Sequence, residues 1–332
     1  MQTVKPHSSQ TLRTRLRGCA VAALMTASSL AAAQGYPNKP VRLVAPVFVG
    51  TPIDIVSRLV AAKIAIELGQ PVVVENKPGG GGIVGAQEVL RQPADGYTLM
   101  TLYMPMTIGQ TIYKNVPYDL RRDFVPAGQT VFSYNVLAVH PSVPANSVRE
   151  LVTLLKARPN QFNFASGGAG SPAHIAGELF KLQTGTQATH VPYNQFPQAI
   201  GDLLSGQIQF MFAATPPVVA HIAAGKLRPL AVTGPQRVAA LKDVPTMGEA
   251  GFPDFVVRDW QGIVAKAGTP KEVIAKVNAA IAKALATDDV KQVLANLGAD
   301  PASGSPEDFG KLIASEVENW ARVAKAANIS VE

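Results

Sequence analysis

The sequence predicts an α/β fold of two lobes, each built on a parallel-rich sheet that helices flank. Three features support this prediction. Strand-like and helix-like segments alternate from KPVRLVAPV to GYTLMTLYM, they alternate again from SYNVLAVHP to LRPLAVTG, and the chain ends in amphipathic helices. Such alternation is typical of parallel, doubly wound sheets. A chain of 332 residues is long enough for two domains of ordinary size.

The first unit reads as βαβαβ. KPVRLVAPV is a β-branched run that Pro46 and Gly50 end, and DIVSRLVAAKIAIEL then repeats apolar residues at helical spacing up to Gly69. PVVVEN followed by IVGAQEVLRQ repeats that order, and GYTLMTLYM supplies a third strand. The second unit continues the alternation through VRELVTLLKARP, FNFAS, SPAHIAGELFKLQTG and IQFMFAA. We expect the last segment, FVVRDWQGIVAKAGTP with two further helices, to return to the first lobe.

Residues 1–33 read as a cleavable secretory signal. An apolar run, CAVAALMTASSLAAA, follows a basic segment without acids, and an A-x-A site at Ala31 and Ala33 places cleavage before Gln34. The basic residues are Lys5, Arg13, Arg15 and Arg17. A membrane anchor needs about 20 apolar residues, and this run is shorter and contains hydroxyl side chains. We therefore expect an exported, periplasmic protein with no stable membrane insertion.

Removal of the signal changes the composition of the chain. Cys19 is the only cysteine, so the mature chain has no thiol for a disulfide, a nucleophile or a metal site. The signal carries four of the seven net positive charges, which leaves +3. The remaining basic residues are scattered among acids, and this distribution argues against a nucleic-acid partner.

Two glycine-rich segments are candidate sites. Gly80, Gly82 and Gly85 match G-x-G-x-x-G, but Pro78 precedes them and no acid follows at the expected distance, so a turn that leads into a helix is favoured over a dinucleotide site. The second segment, SGGAGSPAHIAGELF, combines glycines with the start of a helix. Its backbone N–H groups and helix dipole suit a carboxylate, although an ordinary capped helix is an equal alternative. The candidate residues here are Ser166, Gly168, Gly170, Ser171 and His174.

Catalytic and metal-binding patterns are not convincing in this sequence. The histidine spacings match no metal-ligand set, no G-x-S-x-G elbow occurs, and no pair of carboxylates stands out. We expect no enzyme activity, no metal and no cofactor.

Several blocks, in order, cover nearly the whole mature chain and resemble the substrate-binding receptors of tripartite tricarboxylate transporters, called Bug receptors. They include YPNKPVRLVAPVFVGTPIDIVSRL, GQPVVVENKPGGGGIVGAQEV, FNFASGGAGSPAHIAGELF, HVPYNQFPQAIGDLLSGQI and GKLRPLAVTG. The resemblance implies a periplasmic binding fold, similar to type II, with crossover strands near residues 129–133 and 255–259. It implies lobe 1 at residues 34–132 plus 257–332 and lobe 2 at 133–256. A small carboxylate would bind between the lobes and pass to a membrane permease.

The resemblance also suggests which residues line the cleft. In the family the loop after the first strand forms one wall, and here that loop runs from Pro46 to Asp54. Departures from the family pattern at Val49, Thr51, Pro52 and Ile53 should make this wall drier and stiffer. The candidates from this loop are Phe48, Gly50, Thr51 and Asp54.

Further departures make the expected cleft more neutral and more apolar. Asn194 follows Tyr193 where the family usually has a lysine, and Ala213 stands where an aspartate is common. Tyr103 and Met104 replace small polar residues and would favour stacking on a flat apolar body. We therefore expect the ligand to be a carboxylate with an apolar or aromatic frame rather than citrate. We expect the receptor to be a monomer. A sensory module for a membrane kinase and a secreted enzyme are the alternatives.

Overall fold

The computed structural model describes residues 35–168, 170–193, 195–302 and 304–330. The expected signal at residues 1–33, including Cys19, and the candidate Asn194 lie outside the described residues. None of the helices in the described part of the chain is long and apolar enough to cross a bilayer.

The described residues form strands and helices in the predicted alternation. The strands are β1 (Val41–Ala45), β2 (Val72–Asn76), β3 (Thr98–Tyr103), β4 (Phe124–Val139), β5 (Asn163–Ser166), β6 (Thr189–Pro192), β7 (Phe210–Ala214), β8 (Arg228–Val232), β9 (Arg258–Lys266) and β10 (Ala299–Pro301). The helices are α1 (Pro52–Leu68), α2 (Ile83–Leu90), α3 (Met104–Ile112), α4 (Val148–Ala157), α5 (Pro172–Thr184), α6 (Phe196–Ser205), α7 (Thr215–Ala223), α8 (Lys271–Ala286), α9 (Asp288–Asn296) and α10 (Pro306–Ala326).

The strands join in the order β2-β1-β3-β9-β4-β7-β5-β6, and β8 and β10 pair with β4 beside this path. β1 is parallel to β2 and β3, and β5 is parallel to β6 and β7. β9 is antiparallel to both β3 and β4, so an antiparallel centre joins two parallel groups. The predicted α/β class with parallel-rich sheets and flanking helices is confirmed.

The long strand β4 passes from one group of strands to the other. Its first part pairs with β9 as far as Tyr134, and its last part pairs with β7 and β8 from Asn135 and Val136 onward. A second connection lies just before β9, where the N–H of Val257 donates to the carbonyl of Thr233 at 3.2 Å. The expected crossover segments coincide with these two places. The lobe boundaries at 132/133 and 256/257 stay a prediction.

Apolar side chains from helices on both sides cover the strands. One buried cluster includes Leu43 from β1, Ile64 from α1 and Val277 from α8. Another includes Trp260 from β9, whose ring meets Phe309 of α10 edge to face at 5.4 Å. The amphipathic C-terminal helices are therefore structural, as their spacing indicates.

The glycines of the dinucleotide-like motif have a packing role. Gly79 to Gly82 all adopt positive φ angles, which favour glycine, and they lead directly into α2. A Cβ at Gly85 would lie only 2.6 Å from the Cβ of Pro46. This close approach of α2 to the end of β1 accounts for the motif without a nucleotide.

The aromatic side chain of Phe180 on α5 sits in a cluster with four other phenylalanines. It is fully buried, and it meets the others edge to face at 5.8 to 6.4 Å between ring centroids.

We expect Phe180→Ala to lower the free energy of unfolding by about 3 to 5 kcal/mol. Urea denaturation followed by circular dichroism measures this. Leu182→Ala, on the same helix but 41% exposed, is the control and should change stability by less than about 1 kcal/mol. Equal losses in the two variants would contradict the expected core.

Candidate ligand-binding site

The loop between β1 and α1 ends in a capped helix. Thr51 is the N-cap residue, and its hydroxyl accepts a hydrogen bond from the N–H of Asp54 at 3.3 Å. Pro52 occupies the first turn, where a missing N–H is harmless and the fixed φ suits the helix. Thr51 and Pro52 therefore fix where α1 begins and how the loop enters it.

Asp54 anchors this loop from inside the protein. Its side chain is only 2% exposed and accepts hydrogen bonds from the N–H of Gly50 at 2.9 Å, from Arg58 at 3.1 Å and from Asn76 at 2.8 Å. Burial alone would raise the pKa of Asp54, but these donors outweigh burial and hold that pKa below its ordinary value. Asp54 is thus a support of the loop rather than a surface of the cleft.

The tip of the loop is apolar and exposed. Phe48 is 70% exposed and Val49 is 71% exposed, while the carbonyl of Phe48 accepts a hydrogen bond from the Thr51 hydroxyl at 3.0 Å. The backbone of the tip is thus tied down although its side chains are free. Among the predicted loop residues, Phe48 is the one whose side chain projects from the protein.

The glycine turn between β5 and α5 is held by its own side chains. Ser171 caps α5, and its hydroxyl donates to the carbonyl of Gly168 at 2.7 Å. The N–H of Gly168 donates to the Ser166 hydroxyl and the N–H of Gly170 donates to Nδ1 of His174, each at 3.1 Å. The N–H of Ser171 also donates to the carbonyl of Gly168, at 3.2 Å. Three of the N–H groups expected to hold a carboxylate are therefore engaged within the turn.

Two stacked histidines lie beneath this turn. The rings of His174 and His190 are 3.9 Å apart at 18°, and Nε2 of His190 lies 2.6 Å from the Ser166 hydroxyl oxygen. Because Nδ1 of His174 accepts the Gly170 N–H, its ring proton is on Nε2. Burial lowers the pKa of His174 to about 3, helped by His190 and Lys181, and lowers that of His190 to about 4, helped by Lys181. Both rings are neutral at neutral pH and fix the turn.

Tyr193, which directly follows β6, supports the same turn. Its N–H donates to the carbonyl of Ser166 at 2.9 Å, and its hydroxyl donates to Asp202 at 2.6 Å. Burial and the Asp202 carboxylate raise the pKa of Tyr193 to about 12. The phenol is therefore a neutral donor that is already engaged.

A cavity of about 180 Å³ opens beside the turn. Residues of the turn and of α5 form one side, Phe196 and Phe212 form another, and Asp259 lines the cavity from the start of β9. The lining consists of Asn135, Gly167, Ser171, Pro172, Ala173, Phe196, Phe212, Ala214 and Asp259.

A second cavity of about 230 Å³ shares Ala214 and Asp259 with the first. Its floor is the β4–β9 pair, and its walls come from the beginnings of α1 and α7 and from the α9–β10 connection. Its other lining residues are Pro52, Ile53, Val56, Val131, Ser133, Pro216, Pro217, Trp260, Gln261, Asn296, Leu297 and Ala299. We call the two together the paired cavity.

Prolines begin the helices around the paired cavity. The first turns of α1, α5 and α7 contain Pro52, Pro172 and Pro216, respectively, and each of these prolines also lines the cavity. The backbone that lines the cavity at these three positions is therefore restricted in φ.

Three predicted site residues are placed differently from the expectation. Tyr103 is 7% exposed and its hydroxyl donates to the carbonyl of Pro46 at 3.4 Å, while Met104 is fully buried in the core. Ala213 is also fully buried, and its neighbour Ala214 lines the cavity instead, because adjacent residues of a strand point to opposite faces. These side chains belong to the core and do not line the paired cavity.

Asp259 and Gln261 are cavity residues that the sequence reasoning missed. The crossover segments ended at Ser133 and Asp259, and these two residues are paired across the β4–β9 ladder. An acid at the end of a strand expected to cross the cleft was the signal that could have identified Asp259. Pro52 and Ile53 had been noted as departures, and they line the cavity.

Residues 56–329 match the family model described as "Tripartite tricarboxylate transporter family receptor". The chain belongs to this receptor family. The family consists of solute-binding receptors and not of enzymes, in agreement with the expectation from sequence. The receptor is 35% identical to protein BugT of Bordetella pertussis over 295 residues, which cover 88% of this chain and 90% of BugT.

Solved structures share the fold of the receptor. An R. palustris protein solved with adipate is 34% identical, with a TM-score of 0.75 over 89% of this chain and 99% of that chain. MatC from Rhodopseudomonas palustris, solved with bound malate, is 29% identical, with a TM-score of 0.73 over 87% and 99%. Periplasmic binding protein BugD is 32% identical, with a TM-score of 0.73 over 90% of this chain and 100% of that chain, and this similarity confirms the periplasmic-binding-protein fold.

The buried histidine pair predicts a pH dependence of stability. Since both pKa values are lowered in the native state, the stabilisation is fully present above the ordinary histidine pKa of 6.5 and is lost as the pH falls from there toward 4. Each histidine should contribute up to about 1.4 kcal/mol per pH unit in that range. The double variant His174→Asn, His190→Gln keeps hydrogen-bonding atoms at Nδ1 and Nε2 and should flatten the profile.

The measurement is urea denaturation of the receptor and the double variant between pH 4.5 and 7.5. Asp259 titrates with the opposite sign, because burial raises its pKa to about 6, so the difference between the two proteins isolates the histidines. His221→Gln on α7 is the control and should follow the unmodified protein. Parallel profiles for the protein and the double variant would show that the pair is not neutral.

Proposed function

We propose that this receptor captures a small organic carboxylate with an apolar or aromatic frame and delivers it to a tripartite permease. The observation that carries the proposal is the paired cavity, with a serine-capped helix start at one end and an apolar wall along the rest.

The carboxylate end is the start of α5. Gly167, Ser171 and Ala173 line the cavity at a helix N-terminus, where backbone N–H groups and the helix dipole stabilise an anion. The hydrogen bonds from Gly168 to Ser166, from Gly170 to His174 and from Ser171 to Gly168 fix the turn. The N–H groups of Gly167 and Ala173 would then be the donors to the ligand. Neutral histidines beneath it add no charge, so recognition here is by hydrogen bonds.

The apolar frame would lie along Ile53, Pro52 and Pro216 on one side and the ring of Phe196 on the other. Within the described residues, the lining of the paired cavity contains no lysine, arginine or histidine. A tricarboxylate would bring three charges into a site without a cation, which is unfavourable. The relatives solved with adipate and with malate support a carboxylate with fewer charges.

Export and transport complete the proposal. The receptor would be exported through a cleaved signal at residues 1–33 and would act in the periplasm as a monomer. Lobe 1, residues 34–132 plus 257–332, and lobe 2, residues 133–256, would close over the ligand by bending where β4 and β9 begin to separate. The exposed Phe48 at the loop tip is suited to cover the ligand on closure.

Calorimetric titration of the mature chain with hexanoate, benzoate, adipate and citrate tests the ligand class. We expect binding of at least one of the first three and negligible binding of citrate, because the cavity lacks cations. Tight citrate binding with no heat from the other acids would overturn the proposal.

Ser171→Ala locates the carboxylate end in the same assay. It should weaken binding about tenfold, because it removes a hydroxyl from the cavity edge and loosens the turn. Ser147→Ala is the matched control, since Ser147 caps α4 in the same way through the N–H of Glu150, away from the cavity. Both variants should lose about 1 kcal/mol of stability, and only the first should lose affinity.

Deletion of the gene in the host tests delivery to a permease. Uptake of the radiolabelled acid identified by calorimetry should be abolished and should return when the gene is supplied again. Normal uptake with loss of a transcriptional response to the acid would indicate the sensory alternative instead.

A further inference from the structure

The floor of the paired cavity presents two hydrogen-bond acceptors on one face of β9. Asp259 and Gln261 are two residues apart on the strand, so their side chains point to the same side of the sheet. Opposite them on β4 stand Ser133 and Val131, and all four residues line the cavity. Asp259 also reaches the adjoining cavity that contains the Ser171 end.

The Asp259 carboxylate lies in surroundings that disfavour an unpaired charge. Burial and the negative charge of Glu316 together raise its pKa to about 6, and the hydrogen bond from the N–H of Trp260 opposes them. The neighbouring guanidinium of Arg258 lies over the rings of Phe132 and Tyr134, at 5.3 and 5.9 Å. Glu316 accepts hydrogen bonds from the indole N–H groups of Trp260 and Trp320. Asp259 is half-buried, and near neutral pH a carboxylate withdrawn from water without a cation is costly.

The side chain of Gln261 independently indicates that a hydrogen-bond donor is missing from the cavity floor. Its side chain is 9% exposed, and its Oε1 has no hydrogen-bond donor among the described residues. Buried polar atoms in native proteins are nearly always paired. An acceptor amide and an acceptor carboxylate side by side on a cavity floor would both be satisfied by one ligand group with several N–H bonds.

We propose that Asp259 and Gln261 form a subsite for an ammonium group, so that the ligand of this receptor is an amino-substituted carboxylate. This proposal deepens the proposed function and rests on it. The carboxylate would lie at the Ser171 turn, the apolar frame along Ile53 and the prolines, and the ammonium on the β9 floor.

Charge favours an ammonium over the other groups that could reach this floor. An ammonium donates up to three hydrogen bonds and neutralises Asp259, and such charge-assisted bonds are about twice as strong as neutral ones. A hydroxyl would supply one donor and no charge. A second carboxylate, as in adipate, would meet a like charge at Asp259. The subsite therefore selects amino acids over diacids.

Calorimetry at pH 7.5 with four acids of the same chain length tests the subsite. Hexanoate is the reference, 2-aminohexanoate and 6-aminohexanoate add an ammonium near either end, and adipate adds a carboxylate. At least one amino acid should bind about tenfold more tightly than hexanoate, and adipate should bind more weakly. Asp259→Asn keeps the shape of the side chain and removes its charge, and it should abolish the preference for the amino acid. Asp300→Asn, an exposed acid on β10, is the control and should leave the preference unchanged.

The outcomes separate the subsite from the proposed function. Binding of hexanoate and adipate with no gain from either amino group would overturn the subsite and leave the proposed function standing. A gain that survives Asp259→Asn would also overturn the subsite. If no acid binds, the proposed function fails. Thermal melting of the receptor with n-hexylammonium then tests the ammonium subsite separately. A rise in Tm that Asp259→Asn removes would support the subsite, and no rise would overturn it.

Discussion

The antiparallel pairing of β4 with β9 is the constraint on which the rest of the structure depends. It joins residues from Phe124 to Tyr134 with residues from Lys266 to Arg258, although more than a hundred positions separate the two strands in the sequence. β9 also pairs with β3, and β4 continues to β7 and β8, so this one ladder connects both parallel groups. The same ladder brings Ser133 and Asp259 together on the cavity floor. The connection between the two parallel groups and the floor of the cavity thus depend on a single set of hydrogen bonds.

The fold was predictable from sequence because its determinants are local. The apolar spacing of DIVSRLVAAKIAIEL and the β-branched run VRLVA each specify an element without knowledge of the others. The caps at Thr51 and Ser171, with a proline after each, specify where two helices begin. Even the G-x-G-x-x-G segment was correctly assigned to a turn before a helix, since its neighbouring residues did not suit a nucleotide.

The cavity was less predictable because its lining depends on long-range pairing and on side-chain direction. A shift of one residue along β7 separates the buried Ala213 from the lining Ala214, and sequence alone does not fix that phase in a strand buried on both faces. Tyr103 and Met104 were expected in the cleft because they replace small polar residues of the family pattern, but β3 ends and α3 begins there, and both side chains lie in the core. Asp259 comes into the site through its partner Ser133 on β4, a long-range pairing that the sequence indicates only through the two expected crossover segments.

The prolines that begin α1, α5 and α7 have a consequence for adaptation as well as for binding. Since each has a fixed φ, the backbone around the cavity gives up little conformational entropy when a ligand arrives, and affinity is not spent on ordering loops. The same rigidity means that the cavity cannot reshape itself around a new compound by backbone movement. A change of ligand specificity in a descendant of this receptor would therefore come through side-chain substitutions on the floor and walls of the cavity.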